Sequence, residues 1–301
     1  MVPDPEFESY YGKQIIKTPT WKTPDVPLYL FLGGLAGASS LLAEGAALSD
    51  RPALERVARG AAAGGAGLGT VFLIHDLGRP ERFLNMLRVF KVTSPLSVGS
   101  FILAPFGALS AAAFASNITG KLPRLGRLAG LGAAVFGPPL ATYTAALVAN
   151  TAVPAWHEGH RELPFIFAGS GATAAGGLAM VATPSAQNGP ARRMAVAGAG
   201  LEIAAAELLK RRLGMIAEPY QVGRPGLLMK TARAMTAGAA VLSLVAGRSR
   251  VVSALAGATF VSASVLTRFG IFEAGLASAR DPKYIVIPQK ERLAARAKLT
   301  E

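Results

Sequence analysis

The chain has 301 residues, of which 51% are hydrophobic and only 16% are charged, and its mean hydropathy is +0.38. This composition excludes an ordinary soluble domain, and the absence of cysteine excludes disulfides, thiol nucleophiles and cysteine-ligated iron–sulfur clusters within the chain. The net charge of +13 is expected of a protein that faces anionic membrane lipid. Because no basic patch is interleaved with aromatic residues, no nucleic-acid partner is predicted.

Eight apolar stretches of about 20 residues are long enough to cross ~30 Å of hydrocarbon as helices, which satisfy their backbone hydrogen bonds internally. We therefore predict an all-α integral membrane protein with eight transmembrane helices. The spans are expected near residues 27–48, 56–76, 97–117, 127–150, 163–183, 192–210, 227–247 and 250–274. The second and sixth predictions are the weakest because arginines and glutamates lower the hydropathy of these two segments. An alternative with six spans therefore stays open.

These spans divide the chain into four segments. Residues 1–26 lack the continuous apolar run of a signal peptide and are predicted to be an N-terminal extramembrane segment. Residues 27–150 are predicted to form a first four-helix bundle and residues 151–274 a second. Residues 275–301 form a polar tail, in which 289–299 can make a short amphipathic helix. A weak internal repeat, residues 31–80 over residues 167–216, indicates that the two bundles share one orientation.

Eight spans would place both termini on one face of the membrane, together with the loops that follow spans two, four and six. Lysine and arginine are more numerous on this face than on the other. The positive-inside rule therefore predicts a multi-pass protein of the cell membrane with cytoplasmic termini.

The loop between the second and third spans is rich in ionisable residues: His75-Asp76-Leu77-Gly78-Arg79-Pro80-Glu81-Arg82-Phe83. Such a cluster beside lipid indicates chemistry at a membrane surface. The three histidines, His75, His157 and His160, all lie at span ends on the face of the termini. A bis-histidine haem would need two histidines at depth on facing helices, so no haem is predicted, and surface histidines of this kind predict no metal site.

Sharp motifs lie in the first 100 residues: Ser9-Tyr10-Tyr11-Gly12, Lys17-Thr18-Pro19-Thr20-Trp21, Pro27-Leu28-Tyr29-Leu30-Phe31-Leu32-Gly33-Gly34-Leu35-Ala36-Gly37, Asp76-Leu77-Gly78-Arg79-Pro80-Glu81-Arg82-Phe83 and Ser94-Pro95-Leu96-Ser97-Val98-Gly99-Ser100. Together they resemble the NrfD/PsrC family, the membrane subunits of polysulfide, nitrite, formate and related reductases or dehydrogenases. Tyr143 and the segment Phe167-Ala168-Gly169-Ser170-Gly171 extend the resemblance more weakly.

The resemblance implies two four-helix bundles without haem and a quinone, menaquinone or ubiquinone, that reacts within the first bundle. It also implies electron exchange with a ferredoxin-like iron–sulfur partner subunit, connected to a catalytic subunit that is often of the molybdopterin type. The chain is thus expected to be one subunit of an oxidoreductase complex and not a complete enzyme. Relatives dock their iron–sulfur partner on the outer face, whereas the charge count puts the same loop inside, so the docking face stays open.

The resemblance places the quinone near the start of the first span, the end of the second and the fourth. Tyr143 is then the leading partner for a quinone carbonyl oxygen, followed by Tyr29, His75 and Asp76, and the last two could form a proton-exchanging pair. The arginines of the loop, Arg79 and Arg82, are further candidates. Purely structural interpretations are also open: Tyr29 could be an aromatic residue at the membrane interface, and Asp76, Arg79 and Arg82 could form a salt-bridge network.

Ionisable residues deep within the spans indicate a candidate proton path through Glu44, Glu202 and Arg268, because charge is costly in hydrocarbon. The alternative for Glu202 and Arg268 is a static ion pair between the sixth and eighth helices. These residues and the internal repeat also permit a second function class, a multi-helix transporter or proton-conducting subunit. A third function class is a purely structural membrane anchor.

Overall fold

The computed structural model describes residues 14–79 and 81–300, so the motif at Tyr10 and Tyr11 and the loop residue Pro80 lie outside the described residues. The described part of the chain is helical and contains no strand. Eight long helices follow the predicted spans in order: α1 Asp25–Leu48, α2 Pro52–Leu77, α3 Pro95–Thr119, α4 Pro123–Ala149, α5 Leu163–Ala182, α6 Gly189–Leu213, α7 Gly223–Leu242 and α8 Arg250–Arg280. A ninth helix, α9 Lys283–Thr300, covers the tail.

Six of these helices, α1 to α5 and α8, are long and apolar enough to cross a membrane. The predicted sixth and seventh spans are occupied by α6 and α7, which are long enough but more polar. Two arginines open α6, and Lys230 and Arg233 interrupt α7. The multi-pass helical architecture is therefore confirmed, while eight crossings in two bundles remain a prediction.

Local signals set the ends of the helices. Proline, which fits the first helical turn, begins α2, α3 and α4, and the Ser94 hydroxyl caps α3 by accepting from Ser97 N at 3.4 Å. Gly78 ends α2 with φ of 71°, a left-handed conformation that favours glycine. Pro105 and the pair Pro138-Pro139 lie inside the continuous helices α3 and α4.

Consecutive long helices pack as neighbours, α1 with α2, α3 with α4, α5 with α6 and α7 with α8. We call α1–α4 the first helix group and α5–α8 the second. In the second group, α6 and α7 contact each other only sparsely. The end at which α1 begins and α2 ends is called the terminal end, and the opposite end is called the far end.

The most buried helix, α1, packs against α2, α4 and α5 and joins the two groups. Small residues permit this close packing. A methyl group added at Gly37 would overlap the carbonyl oxygen of Gly137 on α4, and one added at Gly171 on α5 would lie 2.8 Å from the carbonyl oxygen of Gly34. Because lipid supplies no hydrophobic force between helices, such close backbone contact holds helices together in a membrane.

Candidate quinone site

The terminal end of the first helix group carries a carboxylate–imidazole pair. His75, in the last turn of α2, lies beside Asp25, the first residue of α1, because the two helices are antiparallel neighbours. The distance from His75 Nδ1 to Asp25 Oδ2 is 2.7 Å. Asp25 is only 4% exposed, whereas the His75 side chain is 72% exposed. The pair therefore connects the surface with the protein interior and can carry a proton between them.

Asp76, predicted as the partner of His75, has another role in the structure. Its Oδ1 accepts a hydrogen bond from the backbone nitrogen of Lys22 at 2.9 Å, and Lys22 Nζ donates to His75 O at 3.3 Å. Asp76 thus fastens the segment that precedes α1 to the end of α2. Our sequence interpretation missed Asp25, although an acidic residue one turn before Tyr29 was a usable signal.

Tyr29 and Tyr143 are buried in one apolar cluster in the terminal half of the first helix group. The Tyr143 ring packs directly against Gly99 of α3, where any side chain would overlap it, and Tyr29 lies beside Gly69 of α2. Neither tyrosine hydroxyl has a hydrogen-bond partner among the described residues. Each is therefore free to bond a polar atom of a ligand.

The two loop arginines lie at the surface. Arg82 Nη1 donates to Leu77 O at 3.3 Å, and Arg79 is exposed beside it. Within the described part of the loop, neither arginine forms an ion pair with Asp76. The structural network considered for these three residues is therefore absent, and both guanidinium groups face outward.

A second polar cluster occupies the far end of the same helix group. Arg59 of α2 is buried and bonds two carboxylates, Glu44 Oε1 at 3.1 Å and Glu55 Oε1 at 2.8 Å. A side chain at Gly130 of α4 would overlap both Glu44 and Arg59, so this glycine makes room for the pair. The cluster borders a cavity of about 400 Å³, whose lining also includes Asn117.

Glu202 and Arg268 lie apart from Glu44, in the second helix group. Glu202 Oε1 accepts from Thr267 Oγ1 at 2.6 Å, while Arg268 Nη2 donates to Phe167 O at 2.8 Å and its guanidinium lies 3.7 Å from the centre of the Phe167 ring. The two side chains are both buried but form no direct ion pair in the described structure. The three residues of the predicted proton path therefore do not form one continuous series of contacts.

The remaining histidines lie near the terminal end. His157 Nδ1 is 3.1 Å from Ala149 O and His160 Nδ1 is 3.0 Å from His157 O. No group of three His, Asp or Glu side chains that could hold a metal ion occurs in residues 14–79 and 81–300.

Comparison with known proteins gives one family. The family model described as Polysulphide reductase, NrfD matches residues 16–209, more than half of the chain. The matched range includes Asp25, Tyr29, His75, Asp76 and Tyr143. No curated protein matches the chain.

Proposed function

The chain belongs to the NrfD family, the membrane subunits of quinone-linked oxidoreductase complexes, and we propose that it is the subunit that reacts with the quinone. It would oxidise quinol or reduce quinone and exchange electrons with a ferredoxin-like iron–sulfur subunit, itself connected to a molybdopterin-type catalytic subunit. The observation that carries the proposal is the presence of two buried tyrosines, Tyr29 and Tyr143, whose hydroxyls have no hydrogen-bond partner among the described residues, in the same helix group as the His75–Asp25 pair.

These residues fit the head group of a quinone. Such a group needs apolar surroundings and a hydrogen-bond donor for its carbonyl oxygen; the cluster around Tyr143 is apolar, and the Tyr143 hydroxyl can donate. In this proposal the Tyr143 hydroxyl donates to one carbonyl oxygen, and Tyr29 borders the same slot. When bound, the quinone supplies the two-electron, two-proton chemistry that the chain itself lacks.

The His75–Asp25 pair would exchange protons with water. Asp25 accepts from His75 Nδ1 and fixes the orientation of the ring. The opposite ring nitrogen remains to give or take a proton at the surface. The outward-facing Arg79 and Arg82 would then contact lipid head groups or the partner subunit, and they fit a direct quinone contact less well.

Electron transfer within the assembled complex tests this proposal. Quinol is added anaerobically, and reduction of the iron–sulfur partner is followed by electron paramagnetic resonance. Replacing Tyr143→Phe, which removes only the hydroxyl, should slow reduction at least about tenfold, whereas Tyr284→Phe on α9 should not change the rate. An unchanged rate in Tyr143→Phe, or no reduction by quinol in the native complex, would contradict the proposal.

Proton conduction is a second candidate function, favoured by the far-end cluster. Glu44, Arg59 and Glu55 carry one net negative charge at the border of a cavity, and a smaller void lined by Ser40, Glu44 and Ser110 continues inward. This arrangement would let a carboxylate take protons from the far face. Glu202 and Arg268 remain candidates for a separate route in the second group.

Quinol-driven proton uptake by proteoliposomes that contain the complex tests this second candidate. The variant Glu44→Gln should lower proton uptake per electron severalfold, while Glu291→Gln on the exposed tail helix should leave it unchanged. If Glu44→Gln keeps the native ratio of protons to electrons, the far-end cluster is structural only.

A further inference from the structure

A separate cavity lies between α6, α7 and α8, outside the proposed quinone site of the first helix group. Its volume is about 400 Å³, within the range of pockets that hold small organic ligands. Most of its wall is apolar, formed by Ile166, Ile203, Ala206, Met229, Ala234 and Ala237. Polar residues occur at two places only. Glu202, Thr236 and Thr267 lie at mid-helix depth, and Lys210, Gln221, Lys230 and Arg233 lie toward the terminal end.

Two buried polar atoms in this lining have no hydrogen-bond partner among the described residues. They are Glu202 Oε2 and Thr236 Oγ1. The other carboxylate oxygen of Glu202 already accepts from Thr267 Oγ1. Leaving such atoms unpaired away from water is costly, so a polar group that reaches them from the cavity would be held there. A carboxylate oxygen needs a donor, and a hydroxyl group supplies one.

The cavity is accessible from outside the helix group because α6 and α7 contact each other only sparsely. Lys230, Arg233, Ala234 and Ala237 on α7 are exposed. One ion pair, Arg233 Nη1 to Glu207 Oε2 at 3.2 Å, joins the two helices there. A gap of this kind, in the part of the chain predicted to cross the membrane, admits a lipid-soluble molecule from the side.

We propose that this cavity binds a second hydroquinone-class molecule with its ring inserted toward Glu202; the chemical class rests on the proposed function. One ring hydroxyl donates to Glu202 Oε2, and Thr236 Oγ1 bonds the same head group. The ring packs among Ile166, Ile203 and Met229, whose sulfur favours aromatic neighbours. An acyl chain in the same place would leave both polar atoms unpaired, so a phospholipid tail fits less well. The inference concerns binding alone and adds no redox step.

Photolabelling of the intact complex tests this inference. A photoreactive azido-naphthoquinol is bound and irradiated, and the labelled peptides are located by mass spectrometry. Label is expected both in peptides of α3 and α4 and in peptides of α6 and α7. Thr236→Val should lower the α6 and α7 label about fivefold, the effect of one lost hydrogen bond, and leave the first site unchanged. Thr231→Val, the same change at an exposed position of α7, is the matched control.

The outcomes separate the two proposals. Label in the first helix group alone, or α6 and α7 label that Thr236→Val does not reduce, would overturn the second site and leave the proposed function standing. Label in neither group would overturn both. A long-chain alcohol can be added as a competitor. If it reduces the α6 and α7 label as effectively as unlabelled naphthoquinol does, the quinol assignment is overturned, because the cavity would then recognise a hydroxyl group alone. Should Thr236→Val misfold, Glu202→Gln provides the same comparison.

Discussion

Asp25 and His75 show how a single contact can join the interior of this protein to its surface. A buried carboxylate oxygen lies 2.7 Å from an exposed imidazole nitrogen and orients the ring. The pair lies at the start of α1, one turn before the buried Tyr29. A proton taken up at the surface could therefore be held next to the proposed quinone slot.

Replacing Asp25→Asn tests this role at the level of one residue. The amide keeps the size of the side chain but cannot accept or release a proton as a carboxylate does, and it orients His75 less firmly. Quinol-linked turnover of the complex is expected to fall at least about tenfold and its pH profile to change shape. Glu81→Gln, an exposed acid-to-amide change at the same end, serves as the control. A native pH profile in Asp25→Asn would exclude a proton-transfer role.

Sequence reasoning could identify His75 and the two tyrosines as candidates because they stand out chemically in an apolar chain. It could not identify the partner of His75. Neighbours on a helix diverge by about 100°, so Asp76 points elsewhere, and the true partner lies 50 positions away on an antiparallel helix. Only packing brings Asp25 and His75 together.

Helix α1 depends on small residues where it packs closely against its neighbours. Gly37 is a position at which only a residue without a side chain fits. A methyl group there would overlap backbone atoms of α4, which cannot move as a flexible side chain could. At Gly45, eight positions further along the same helix, an added methyl group would meet no atom within 4 Å.

The pair Gly37→Ala and Gly45→Ala therefore forms a matched test of helix packing. Gly37→Ala should lower the free energy of unfolding by about 2 kcal/mol, since the helices must separate. Gly45→Ala should change it by no more than about 0.5 kcal/mol. Denaturation in detergent, followed by circular dichroism, measures both. Equal effects of the two substitutions would show that α1 and α4 are not closely packed.

The ninth helix is attached to the loop before α7 by an ion pair at the surface. Lys283 Nζ lies 2.9 Å from Glu218 Oε2, and this hydrogen bond lowers the pKa of Glu218 below its ordinary value. A lowered carboxyl pKa means that the contact stabilises the folded state at neutral pH. Its contribution is lost as the pH falls through that lowered pKa.

The protection of residues 283–294 against hydrogen exchange, measured relative to the intrinsic exchange rate at each pH, should therefore be high at neutral pH and fall in acid. In Lys283→Met the exchange should already be faster at neutral pH, and its acid dependence should be weaker. Exchange that responds to acid equally in the native chain and in Lys283→Met would show that another group holds α9 in place.

Helix existence and order followed well from the length of the apolar stretches, as α1 to α5 and α8 illustrate. The second segment, predicted as one of the two weakest spans, is apolar enough to cross a membrane, whereas the sixth and seventh are too polar to be recognised by composition. The tail was expected to form a helix over 289–299, whereas α9 already begins at Lys283. Its first turn is fixed by the contact with Glu218, which local sequence does not reveal.

For the whole molecule, the open question of architecture is whether α6 and α7 cross the membrane. If they do, the loops before and after α6 lie on opposite faces. The chain has no cysteine, so single cysteines introduced at Ala186 and Val222, exposed positions in these two loops, can be labelled without background.

Eight crossings with cytoplasmic termini predict that Val222→Cys reacts with a membrane-impermeant maleimide in inside-out vesicles. Ala186→Cys should react only in right-side-out vesicles. Labelling of both positions from one face would show that α6 does not cross the membrane. Labelling of each from the reverse face would place the termini, and the loop that carries His75, outside the cell.

The central claim is that the first helix group binds quinone, and binding to the solubilised chain tests it most directly. Titration with a naphthoquinol analogue should give saturable binding, with one component from the first helix group and another from the proposed second site. Tyr143→Phe should weaken the first component about fivefold, as expected for one hydrogen bond, and leave the other unchanged, while Tyr284→Phe should bind as the native chain does. The absence of saturable binding by a folded chain with its iron–sulfur partner present, or equal affinity in Tyr143→Phe, would contradict the account.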